Sequence, residues 1–280
     1  MSEDAPTSAD TPPLPVSSIP AVESQLAQIT DFMRLMREVL EYARPPERAM
    51  FPNTVAAVSC FIRALNGLQA SVLLCLSGFY TESQAAVRGV YESAGLGRML
   101  AHDSPMAERW LHQGTWVPDR SSRAFIGSLI AEGGEDVYRE YYRNASALAH
   151  PTALSTLPYV FNSDGEYHPV WEPVLDITRC QAIMREIVVE AAFVCFAIRM
   201  AAVDEEAMDP TWLRNLSDLA REVTGQEMPH LDRDWTARQI QFDLFRSKIR
   251  HDSELDEALE SDPNSYRNIV RRLDYDQRSD

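Results

Sequence analysis

Arg143, Ser146 and His150 are the residues of this 280-residue chain whose types and spacing could do chemistry together. They lie in the run Arg143-Asn144-Ala145-Ser146-Ala147-Leu148-Ala149-His150, and seven residues is close to two turns of an α-helix. At roughly 100° per residue the arginine and the histidine return to within about 20° of one another. Ser146, three residues beyond Arg143, lies beside them. One helical face therefore presents guanidinium, hydroxyl and imidazole. An imidazole exchanges protons near neutral pH, and a guanidinium makes bidentate, charge-assisted bonds to phosphate. Together they suit proton transfer beside an anion, with no metal required.

Two further groups could support that face. Arg88 and Glu92 are four residues apart on one helix and could align Arg143 or His150. The plainer reading makes them a solvated ion pair worth under about 1 kcal/mol. Tyr138 and Tyr142, with Tyr141, could stack unpaired bases, although such tyrosines more often pack a bundle. His150 has a plain reading too, as a cap on the negative end of its helix. Glu108, His112 and His102 lack the paired Glu-x-x-His motifs of a dimetal bundle, so neither a metal nor a cofactor is expected. There is no Gly-rich phosphate loop, no Gly-x-Ser-x-Gly elbow and no zinc-ligand spacing.

The elements that must position these groups are helical. Apolar residues recur at helical spacing from Val22 to Arg44, ending at Pro45 and Pro46. Asn53 reads as the N-cap of a helix to about Ser77, closed by Gly78. Thr81 with Gln84 reads as a capping box opening a helix through Leu100, antiparallel to the one before. Ser104-Pro105 starts a helix to Gln113; others are expected over 121–132 and 135–150, the last stopped by Pro151. Residues 151–173, with four prolines and an Asp164-Gly165 turn, predict an irregular loop with a small hairpin. A core helix over 176–203 and one opened by Asp209 and Pro210 follow. Helical patterns at 235–250 and 265–273 flank the acidic stretch 252–262. The expected fold is all-α: an up-and-down helical bundle over 21–203, a disordered Pro-rich tail over 1–20 and an acidic helical extension over 204–280.

Charge narrows the function. The net charge is −16, and residues 1–50, 51–203 and 204–280 carry −4, −4 and −8. A protein that grips nucleic acid broadly needs a basic face, so only the middle is compatible with RNA. All but one of the 26 basic residues of the whole chain are arginine, the residue suited to bidentate phosphate contact. Cys60, Cys75, Cys180 and Cys195 lie in apolar helical windows without CxxC spacing and read as core residues. The acidic N-terminus has no export-leader pattern. The most apolar window, Ile187 to Val203, is broken by Glu190 and Arg199. Both imply a cytoplasmic protein that does not enter a membrane.

Arg143, the polar Asn144 and His150 after six intervening residues resemble the shared motif of the HEPN superfamily of helical ribonucleases. The segment Gly78 to Leu100, with Glu82, Arg88 and Glu92, is also similar to an uncharacterised bacterial all-helical family of the same style; the two likenesses span roughly 55–200. The resemblance implies a homodimer that cuts single-stranded RNA without metal, in a toxin, phage-defence or stress system. His150 would then be general base or acid, Arg143 would hold the scissile phosphate and Asn144 would orient the site. The alternative is a non-catalytic interaction module whose acidic C-terminal region binds a basic protein partner.

Overall fold

The computed structural model describes residues 19–42, 52–113, 147–150, 152–161, 164–170, 172–201 and 208–225. The fold over them is all-α. A short 3-10 turn, Pro20–Val22, leads into α1 (Glu23–Tyr42), followed by α2 (Pro52–Leu76), α3 (Tyr80–His102) and α4 (Ser104–Gln113). After these come the single turn α5 (Ala153–Thr156), the long α6 (Ile177–Ala201) and α7 (Pro210–Thr224). The tail over 1–18, the helix expected over 121–132, residues 135–146 of the helix expected over 135–150, and the C-terminal patterns beyond 225 lie outside the described residues.

Local signals account for most of the boundaries. α2 stops at Gly78, whose φ of +81° admits a residue without a side chain most easily. There the amide of Phe79 donates to Leu74 O at 2.9 Å and that of Gly78 to Cys75 O at 3.1 Å, so the last carbonyls are bonded. Asp103 both ends α3 and starts α4, its Oδ1 accepting from the Met106 amide at 2.9 Å. Asp209 accepts from the Thr211 amide ahead of Pro210, as its position predicts.

Two expected caps do not form. Asn53 lies inside α2, and its Nδ2 donates to Ala101 O at 2.9 Å, tying the start of α2 to the end of α3. Thr81 does not cap α3, which begins at Tyr80 after an uncapped Phe79, while Gln84 donates to Glu186 on α6 at 3.2 Å. In both cases a partner distant in sequence outcompetes the local backbone for a side-chain amide.

α2 and α3 are antiparallel neighbours in close contact: a Cβ on Gly97 would sit 3.0 Å from Cys60 Cβ and 3.2 Å from Ala57 O. α6 runs parallel to α3, since Tyr80 meets Asp176, Gln84 meets Glu186 and Tyr91 stacks on Phe193 at 4.9 Å. It also runs parallel to α1, whose Phe32 carbonyl accepts from Cys195 Sγ. Direction alternates through α1, α2 and α3, and the long segment between α3 and α6 returns the chain to the end from which α3 began. Phe32, Met36, Leu68, Val90, Met184, Ile187 and Val194 fill the centre.

α7 belongs to this bundle by packing, although its sequence lies in the acidic segment 204–280. Trp212, Leu213 and Leu216 are buried in the same core, and Trp212 Nε1 donates to Leu35 O on α1 at 2.7 Å. α2 is long and apolar enough to cross a membrane by composition. Here Phe61, Ala64, Leu68 and Val72 of that helix are packed inside the bundle.

Candidate functional site

Arg88 stands on α3 between the buried residues Val87 and Val90, whose packing fixes the helix beneath it. Its Nε and Nη2 both donate to Glu92 Oε1, one turn along, at 2.9 Å. Its Nη1 lies 3.0 Å from His150 Nε2, 62 residues away in sequence. Only 15% of the Arg88 side chain is exposed, against 45% for Glu92, and His150 is exposed. Carboxylate, guanidinium and imidazole thus form a row that runs from α3 to an accessible ring.

The turn carrying His150 is bonded to itself. Residues 147–149 are helical and His150 stands in the turn that follows. Thr152 Oγ1 donates to Ala147 O and Ser155 Oγ to His150 O, each at 2.5 Å. Thr152 and Ser155 also close a reciprocal capping box that opens α5. The reading of His150 as a helix cap loses its support, because Thr152 bonds the Ala147 carbonyl while the imidazole faces Arg88.

A second set of contacts lays the following loop along the start of α3. Tyr159 donates to Glu82 Oε1 at 2.5 Å, and burial, with help from that carboxylate, raises its phenol above the ordinary range. Tyr80 OH donates to Asp176 O at 2.9 Å and accepts from the Asp176 amide at 2.7 Å, with the Arg179 guanidinium 5.0 Å from the Tyr80 ring centre. Between these points the expected small hairpin is represented, among the described residues, by one antiparallel bridge, Phe161 to Tyr167, near Gly165 at φ +80°. The loop that begins at His150 is therefore pinned to α3 at both Glu82 and Tyr80.

Of the residues singled out from sequence, Arg88, Glu92 and His150 lie together. Arg143, Asn144, Ser146, Tyr138 and Tyr142 lie outside the described residues. Thr152 and Ser155 carried only part of a sequence signal, a threonine able to cap but no Glu or Gln three residues later. Glu82 with Tyr159 carried no signal that spacing could reveal, being 77 residues apart.

Other chemistry-bearing groups are committed to structure. The four cysteines are buried and free, with Cys75 Sγ 3.6 Å from Cys180 Sγ. Burial pushes the Cys60 thiol up to about 12 and raises Cys75 and Cys195 in the same direction, which keeps them protonated and poorly nucleophilic. His102 Nε2 contacts Met200 O at 2.7 Å and joins α3 to α6. Among the described residues no three His, Cys, Asp or Glu side chains gather as a metal site would need. A groove of about 480 Å3 between α1 and α7 is lined by Asp31, Arg34, Asp218 and Arg221, and it contains neither imidazole nor thiol. Comparison with known protein families, curated proteins and solved structures finds no match to this chain, so the functional argument rests on the residues themselves.

Proposed function

We propose that the protein is a metal-independent endoribonuclease of HEPN type, acting as a homodimer on single-stranded RNA in a toxin, phage-defence or stress system. One observation carries this reading: the exposed imidazole of His150 meets a guanidinium that is itself anchored by a carboxylate. In the proposed reaction, His150 Nε2 takes the proton of a ribose 2′-hydroxyl as the 2′-oxygen bonds to phosphorus. The bond from phosphorus to the 5′-oxygen breaks, and the imidazolium returns the proton to that leaving oxygen. Arg88 and, two helical turns before His150 in sequence, Arg143 would stabilise the charge that grows on the phosphate. The test is cleavage of single-stranded RNA in chelator by wild type and His150→Ala. Loss by at least about 100-fold in the variant is expected, and equal cleavage by both, or none by either, overturns the reading.

A second reading is favoured by charge. Residues 204–280 carry −8, which suits docking of a basic protein partner by a module without catalysis. Because α7 is built into the core, the informative truncation removes 226–280 and leaves Trp212 in place. Loss of a co-purifying basic partner from an otherwise folded protein supports this reading, and retained binding counts against it.

A further inference from the structure

Arginine donates and does not accept, so the 3.0 Å contact of Arg88 Nη1 with His150 Nε2 uses the imidazole lone pair. As a hydrogen bond, that contact requires a neutral ring with its proton on Nδ1, and it occupies the nitrogen that would act as a base. The opposite edge of the guanidinium, Nε and Nη2, is held by Glu92 Oε1. The tether lies on Arg88's own helix, while its partner imidazole arrives on a separate loop. Nη1, the nitrogen turned away from the tether, is the one that meets the ring.

We propose that Arg88 is a substrate-operated latch on His150: it occupies Nε2 while the site is empty and yields it when a phosphodiester anion takes over Nη1. The ligand class rests on the ribonuclease reading, whereas the tautomer does not. An anionic phosphate oxygen competes with a neutral ring nitrogen for the same donor. The bond to the ring is ionic on the donor side alone, whereas with a phosphate oxygen both donor and acceptor are charged and the arginine can bond it in a bidentate way, so the phosphate prevails. Glu92 keeps the guanidinium at the site during the exchange, so the arginine that releases the base also holds the incoming anion. His150 is exposed and Arg88 is largely covered, so a ligand reaches the pair from the imidazole side. Arg88 is a positioning residue for the base and a binding residue for the phosphate. The base becomes available only where there is an anion to act on.

The experiment reads the ring itself. Full-length protein labelled with 15N-histidine is observed by long-range proton-nitrogen correlation, with His150 assigned by its loss in His150→Gln. The probe is a dinucleoside phosphodiester lacking the 2′-hydroxyl, which binds without being cut. Without probe, the neutral ring of His150 should carry its proton on Nδ1, the tautomer that free histidine favours less; on titration its Nε2 resonance should move. Arg88→Ala should return the ring to the Nε2–H form and weaken probe binding about tenfold. Wild type alone is decisive if that variant does not fold. An Nε2–H ring in the unliganded protein, or an Nε2 resonance unmoved by saturating probe, overturns the latch. An Nδ1–H ring that responds to probe supports it even if RNA is never cut, in which case the ribonuclease reading fails alone. RNA cleavage by a protein with an Nε2–H ring sinks the latch and spares the nuclease.

Discussion

α1 and α3 carry the same local pattern, an arginine followed four residues later by a glutamate, and the bundle uses the two differently. Arg34 on α1 lies 3.3 Å from Asp31 and 3.0 Å from Glu38, all on one exposed stripe, with 53% of the arginine side chain open to solvent. Its neighbouring carboxylates and hydrogen bonds hold the guanidinium above its ordinary pKa against the opposing effect of burial. Arg88 on α3 pairs with Glu92 on its own helix, is only 15% exposed and meets an imidazole brought from another loop. An i, i+4 ion pair is a solvated ornament where nothing packs over it. It becomes a site where tertiary structure covers the arginine and supplies a second kind of partner. Residues that are interchangeable in the sequence thus differ in chemistry because of what lies above them.

That contrast can be broken or sharpened by substitution. The largest stability effect is expected on the α1 side and from a residue other than its arginine: Trp212→Ala should cost roughly 3 to 5 kcal/mol in denaturant unfolding. The indole is buried and its N–H is bonded to Leu35 O, one residue from Arg34. RNA cleavage by the folded fraction should be unchanged, and loss of activity there would mean that the two regions are coupled. Next, Gly97→Ala should cost about 1 to 3 kcal/mol, because the added methyl meets backbone and side chains of α2. As α3 is displaced, the His150 tautomer should become mixed; an unaltered ring signal would show that the Arg88 contact tolerates movement of its helix. Arg88→Ala should cost about 1 to 3 kcal/mol, since it removes a largely covered side chain together with its charge-assisted bonds to Glu92 and His150. Arg34→Ala should cost under about 1 kcal/mol, a difference erased by high salt. Equal and salt-sensitive losses in both variants would place Arg88 among ordinary surface pairs.

Helix bounds were readable because they depend on neighbours in the chain. The expected span of α4 coincides with the observed one, and Gly78 and Asp209 end and begin helices for reasons contained within a few residues. Asn53 and Gln84 misled for the opposite reason. Each has good local capping chemistry, and each found a partner on another helix, Ala101 O and Glu186, that local spacing cannot reveal. The charge of 204–280 likewise suggested an appendage, whereas the apolar stripe of Trp212, Leu213 and Leu216 decided that α7 is core.

The amino-acid sequence by itself determined an all-α protein, since apolar residues at a period near 3.6 dictate which face of each helix leaves water. It also brought Arg88 and Glu92 within reach of one another, because four residues is one turn. Only the tertiary structure decided that His150 completes their row and that Tyr159, bonded to Glu82, holds its loop to α3. Those contacts join groups that must be brought together by packing rather than by helical geometry, and the driving force for that packing is non-directional burial, which spacing along a chain does not record.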